Sequence, residues 1–359
     1  MSPTTYSSVR LTDVLDPLTG ARADLEFDVP GVSGAIAGTL DGAHLWQLPA
    51  LYDADAHLPV LQLGLREQDR WRALAGGAAA INSAVPWHLI ADLDLDAVTE
   101  FFAATSFPRV LPILSVADEP SSEGFAAWLD KYGEQIRTTW MPTIKLYSND
   151  PYFRQNLEAI WQAGCRAAIY FYDDEAFQAV AGESGGPVHF RHITSQDMYE
   201  QVTARPDSTC QTSPHFLVQL PESRPADLFV LPPVPGGAAR ESLRGVVSAI
   251  DLIASDHNAP VRGNTGPGLE SEQHLLSALL TLVGEGVLDL PTALAKSGPA
   301  AAAVFRPVTE IPQALVVVDP ASGPVQLWPG QEARRAPYRG LDMAGTVLAV
   351  AEAGRGFFL

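Results

Sequence analysis

Between Arg109 and Asp256, short runs of β-branched and aromatic residues alternate with amphipathic stretches, and this alternation constrains the fold more than any other feature. RVLPILSV (Arg109–Val116) reads as a buried strand. Ser122 is placed to cap a helix running to about Arg137, with Phe125, Trp128, Leu129 and Ile136 at roughly helical spacing. TIKLYS is the next predicted strand and Tyr152–Ala163 the next helix. AAIYFY (Ala167–Tyr172) and VHFRHI (Val188–Ile193) continue the series, followed by FVLPP, a helix from about Ala238 to Ser248, and IDLIAS, which ends at Asp256. This is the pattern of parallel β/α units.

The two ends differ. Up to about Leu48, and again from about Ile311, short strand-like runs are broken by Gly and Pro, as in DVPGVSG and DPASG. Neither end can bury a core alone, so the expectation is that they pair into one small β-sandwich. The chain has 359 residues, and a barrel of ~250 residues leaves room for such a satellite.

A net charge of −19 argues against nucleic acid, which needs clustered Lys and Arg. Cys165 and Cys210 match no metal-ligand spacing and read as reduced thiols. The first residues, MSPTTYSSVRLTDVLDP, lack a basic start and an apolar core, so no signal peptide is expected. No apolar run is long enough for a membrane span, and the expected location is the cytoplasm.

A barrel places its chemistry at the C-terminal ends of its strands, and five positions there carry polar residues. In LPALYDADAH, Asp55 and His57 share a strand face and could hold one metal together. Lys145, one of three lysines, interrupts an apolar strand. It either snorkels to the strand end or is carboxylated to a carbamate that bridges two metals. His192 ends VHFRH, and Asp256 follows four apolar residues, an expensive place for a carboxylate unless chemistry needs it. His215 stands in the turn SPHFL. No GxSxG, Walker-type loop or GxGxxG unit is present, which leaves little support for a serine nucleophile or a nucleotide cofactor.

Taken in order, these segments resemble dihydroorotase, of the amidohydrolase superfamily, over nearly the whole chain. LPALYDADAHLP is similar to its first strand, which bears HxHxR, and AAINSAVP to its asparagine-containing segment, with Asn82 matching. VLPILSV, TIKLYS, VHFRHITS, TSPHFL, IDLIASDHNAP and GPGLESEQHLL follow in family order, and the tail is similar to its closing β-strands. The resemblance implies an α/β fold, a (β/α)8 TIM-type barrel over residues 49–305, with residues 1–48 and 306–359 forming a composite β-sandwich. It implies Asp55, His57, Lys145, His192 and Asp256 as metal ligands, Asp256 as the catalytic base, and Asn82 and His215 as substrate-binding residues.

The departures bear on activity. The first histidine of HxHxR is Asp55 and its arginine is Pro59. A further metal histidine is Phe171, the residues flanking the PP turn are Leu231 and Pro235, and the last histidine of the aspartate segment is Val261. A phenyl ring cannot bind zinc, so at most one zinc per chain is expected, and none is equally compatible. Three readings follow. One is a non-catalytic scaffold partner of aspartate transcarbamoylase in pyrimidine biosynthesis. Another is a one-metal amidohydrolase, using Asp55, His57 and Asp256 on a cyclic amide. The third is a binding protein with an aromatic pocket of Tyr170, Phe171 and Tyr172. Self-association into a homo-oligomer is also expected.

Overall fold

The computed structural model describes residues 7–29, 38–105, 107–116, 122–182, 185–221, 228–258, 267–325 and 331–359; Val261 and its neighbours lie outside them. Four strands come first: β1 (Ser7–Leu15), β2 (Arg22–Val29), β3 (Gly38–Asp41) and β4 (Trp46–Pro49). Asp16 shapes the turn between the first two, accepting hydrogen bonds from the Leu18 N–H at 2.9 Å and the Thr19 hydroxyl at 2.8 Å.

The barrel strands follow after Ala50. They are β5 (Leu51–His57), β6 (Ala78–Pro86), β7 (Arg109–Val116), β8 (Thr143–Tyr147), β9 (Arg166–Tyr170), β10 (Val188–Phe190), β11 (Ser208–Thr212) and a split last strand, β12 (Leu252–Ile253) with β13 (His257–Asn258). Neighbours in the chain pair in parallel. The last strand closes the ring, because β12 pairs with β11 and β13 pairs with β5. A carboxylate braces this seam. Asp53 accepts the Ser255 N–H at 2.9 Å and also binds the Ser255 hydroxyl.

The alternation read from the sequence holds with two corrections. Ser122 does not cap its helix, which runs Phe125–Thr139 behind Gly124; its hydroxyl donates to Asp150 at 2.6 Å instead. The strand before the last is β11, not FVLPP, which forms no strand and contains the cis Leu231–Pro232 bond. Aromatic residues in or just past the barrel strands pack on the helices. Phe171 and Phe190 both meet Phe177 of the helix Asp174–Ala181, with ring centroids 5.0 and 5.7 Å apart.

Three closing strands, β14 (Ala314–Pro324), β15 (Asp342–Glu352) and β16 (Arg355–Phe358), join the first four. Together they form one seven-stranded sheet in the order β2-β16-β15-β14-β4-β1-β3. Because β2 also pairs with β1, the sheet rolls up on itself. Val9, Leu11, Val14, Phe27, Val317 and Ala349 fill its interior. It is fastened to the barrel through the helix Leu275–Gly284, where the Ser277 hydroxyl donates to the Gly345 carbonyl at 2.6 Å and the Ala344 N–H donates to Thr281 Oγ1 at 2.9 Å. Cys165 and Cys210 are free and buried. Among the described residues, no helix is long and apolar enough to cross a membrane.

Candidate functional site

The C-terminal ends of the barrel strands converge on Asp55. A register shift in β5 between Asp53 and Ala56 marks the point where the strand delivers it to the barrel interior. Arg191 donates from Nε to Asp55 Oδ2 at 2.8 Å and from Nη2 to Oδ1 and Oδ2, both at 2.5 Å. Lys145 Nζ donates to Oδ1 at 2.7 Å and Gln211 Nε2 to Oδ2 at 2.6 Å. Asp55, Lys145, Arg191 and Gln211 are all fully buried. Burial alone would raise the pKa of the Asp55 carboxyl, but Arg191 and Lys145 hold it well below the ordinary range. Burial pulls the Lys145 ammonium down to about 8 against the attraction of Asp55. Burial also opposes the charge on Arg191, yet Asp55 keeps its pKa above the ordinary value.

Gln211 extends the network. Its Nε2 is spent on Asp55, so its Oε1 accepts from His189 Nε2 at 2.9 Å, and His189 Nδ1 meets the Thr209 hydroxyl at 2.9 Å. This pattern assigns the Nε2–H tautomer to His189 and makes it a buried strut.

Asp256 lies across the pocket. His192 Nδ1 is 3.6 Å and His215 Nε2 is 3.8 Å from Asp256 Oδ2. Burial, reinforced by the nearby Asp55 charge, pushes the Asp256 carboxyl well above its usual range. Burial drives the imidazoles of His57 and His215 down to about 3 and that of His192 well below 6.5. At neutral pH these three rings are uncharged. Tyr170 walls the site, with its ring centroid 4.9 Å from that of His192 and 5.5 Å from the Arg191 guanidinium carbon.

The structure therefore brings together Asp55, Lys145, His192 and Asp256, with His215 beside Asp256 and His57 Nε2 3.8 Å from Asp55. Asn82, expected as a substrate-binding residue, has both ends of its amide engaged by the neighbouring strand. Its Nδ2 donates to the Ala54 carbonyl at 3.0 Å and its Oδ1 accepts from Tyr52 at 2.5 Å. The expected aromatic pocket divides. Tyr170 and Tyr172 pack edge to face at 4.8 Å, whereas Phe171 faces the helix layer. Two central residues, Arg191 and Gln211, are absent from the sequence reading. The signal for Arg191 was a guanidinium directly after the short strand β10, between the buried Phe190 and the candidate ligand His192.

Asp55, His192 and Asp256 offer ligand atoms that all lie within 4.8 Å of one another, the spacing of a one-cation site. With Arg191 in place the fit fails. The two Asp55 oxygens accept five hydrogen bonds, three of them from Arg191, and two of the donor groups, Arg191 and Lys145, are cations. A cavity of 910 Å³ lies elsewhere, between the helix Glu67–Ala75 and β15, and is lined by Trp71, His274, Met343 and Phe358 rather than by any of these groups.

No family model matches the chain. A dihydroorotase-like protein of Pseudomonas putida is 32% identical over 189 residues, 46% of this chain and 44% of that protein. One from Pseudomonas aeruginosa is 36% identical over 139 residues, 33% of each. The matches thus span less than half the length of these relatives. Among solved structures, a D-hydantoinase superposes with a TM-score of 0.68 at 15% identity, covering 98% of this chain and 95% of its own. The inactive dihydroorotase-like domain of the Chaetomium thermophilum CAD-like multifunctional protein gives 0.62 at 16% identity, covering 87% and 94%. The chain shares the barrel fold of the D-hydantoinase and of the inactive dihydroorotase-like domain, and over less than half its length it resembles dihydroorotase-like proteins in sequence.

Proposed function

We propose that this chain is a dihydroorotase-like protein that does not hydrolyse dihydroorotate and is retained as a barrel scaffold. The observation that carries the reading is the saturation of Asp55. The carboxylate on the first barrel strand accepts five hydrogen bonds from Arg191, Lys145 and Gln211, three of them from Arg191, which leaves it no lone pair for a metal while Arg191 is in place. Phe171, turned to the helices, supplies nothing in exchange, and the arginine that grips substrate in the resembled family is Pro59 here. Aspartate transcarbamoylase is the partner class proposed, because the resembled family includes degenerate members that assemble with it. The test has two arms. Purified protein should show no turnover of dihydroorotate above background and less than one tightly held zinc per chain. A pull-down from the native host, run at low and high salt, should recover the transcarbamoylase. Robust turnover would end the non-catalytic reading, and a transcarbamoylase that assembles and works equally well without this chain would end the scaffold role.

A one-metal hydrolase acting on a cyclic amide is the second reading, favoured by the closeness of Asp55, His192 and Asp256. It requires Arg191 to leave Asp55. Stoichiometric zinc in the wild-type protein, together with turnover of any cyclic amide, would select it.

A further inference from the structure

We propose that Arg191 is a built-in replacement for a metal ion, and that removing its charge uncovers a single divalent-cation site held by Asp55, His192 and Asp256. The first observation is positional. Arg191 Nη2 lies 2.5 Å from each Asp55 oxygen and 3.5 Å from His57 Nε2. One nitrogen therefore touches both residues of the β5 pair that a metal would bridge.

The second observation is that the remaining ligand atoms are poised and unused. Both ring nitrogens of His192 are buried without a hydrogen-bond partner among the described residues. They lie 3.9 Å from Asp55 Oδ2 and 3.6 Å from Asp256 Oδ2, separations found along the edges of a metal coordination sphere. A neutral imidazole has one lone-pair nitrogen and one N–H, so a single cation would take one ring nitrogen as its ligand and leave the other as the donor; a buried ring nitrogen without a partner, beside two carboxylates, is suited to that role.

The third observation explains how a cation tethered to the chain comes to stand there. Arg191 directly precedes His192, and His192 takes a left-handed backbone with φ of 58°. Regular strand geometry would send consecutive side chains to opposite faces. The left-handed residue brings both into one pocket, so the guanidinium arrives in the same motion as the would-be ligand. A dication entering beside a fixed guanidinium meets like-charge repulsion in a buried setting, where screening is weak. Arg191 thus both occupies the place and repels the ion.

The inference rests on the reading that the wild-type pocket holds no catalytic zinc, and its test separates the two. Arg191→Met and Arg191→Lys are compared with wild type in the 359-residue chain, using zinc chloride as the probe. Zinc per chain is measured after dialysis, and affinity and melting temperature are measured by titration. Arg191→Met should take up about one zinc, bind it at least about tenfold tighter than wild type and melt higher in its presence. Arg191→Lys, which keeps a cation, should behave as wild type. Adding His192→Ala to Arg191→Met should abolish the gain. If Arg191→Met does not fold, Arg191→Gln, which keeps an N–H donor for Asp55, carries the same expectation. A folded neutral variant that binds zinc no better than wild type overturns the inference and leaves the non-catalytic reading standing. Retention of zinc in the His192→Ala double variant overturns it too. Wild-type protein that holds one zinc as tightly as Arg191→Met overturns it from the other side, and turnover decides the reading separately.

Discussion

Arg191 and Asp55, 136 residues apart in the chain, meet through three hydrogen bonds in a pocket that solvent does not reach. Lys145 adds a second cation to the same carboxylate. Buried ion pairs are weak sources of net stability, but breaking one strands an uncompensated charge. Asp55→Asn should therefore lower unfolding free energy by about 3–5 kcal/mol. The apolar triple replacement Asp55→Leu, Lys145→Met, Arg191→Leu should lose less than Asp55→Asn alone. Urea unfolding with an unchanged m-value checks both. A triple variant less stable than Asp55→Asn would contradict this account of the network.

Acid should weaken the fold through its buried imidazoles. Burial depresses the His215 pKa to about 3 from 6.5. Below about pH 6.5 the unfolded chain takes up a proton there that the folded chain refuses, so stability falls as pH drops towards 3. Well inside that window, each such group contributes about 1.4 kcal/mol per pH unit. His215→Gln should flatten the dependence of unfolding free energy on pH, between 6 and 4, by about that slope. An unchanged slope would mean that His215 is charged in the folded protein.

Restoring histidines by sequence position alone should fail. Phe171 packs against Phe177 in the helix layer, so an imidazole at 171 does not reach Asp55's pocket. Asp55→His with Phe171→His should hold no more zinc than wild type while Arg191 remains. It should also be less stable by about 2–4 kcal/mol, from the lost aromatic packing and an unpaired imidazole. Elemental analysis and thermal melting report the two effects independently.

Two glycines with the same backbone separate strain from crowding. Gly345 and Gly354 both have φ of 80°. A Cβ on Gly354 meets nothing within 4 Å, whereas one on Gly345 would run into Leu280 of the barrel's flanking helix. Gly354→Ala should cost about 1–2 kcal/mol, the left-handed penalty alone. Gly345→Ala should cost a further 1–3 kcal/mol or so, because the overpacked side chain must move. Equal losses, measured by chemical denaturation, would show that the joint between rolled sheet and barrel is slack.

Much of this was legible in the chain because burial leaves a simple mark. Each parallel strand is covered on both sides and reads as an apolar run, so a charge that interrupts one near its end stands out. Asp55, Lys145, His192 and Asp256 were visible in that way. Arg191 was not, because the alternation rule assigns one face to His192 and the opposite face to its neighbour. That rule breaks at the left-handed His192. The sequence leaves the role of Asn82 open for a different reason. A buried amide inside β6 is equally suited to a ligand or to a neighbouring strand, and only the positions of Tyr52 and Ala54 show which groups it meets. β11 was hidden because STCQT, with Thr209 and Gln211 turned to the polar network, lacks the apolar run of its neighbours.

The rolled sheet has a consequence for the order in which the protein can be made. β4 pairs with β14 and β2 with β16, so the first strands find their partners only after the barrel has left the ribosome. At about 5–20 residues per second, that wait is on the order of 10–50 s. Through it, Val9, Leu11, Val14 and Phe27 have no sheet to close over them. A nascent chain halted at Phe305 holds every barrel strand and none of the strands its amino-terminal hairpin needs, and such a hairpin is a natural client for a chaperone.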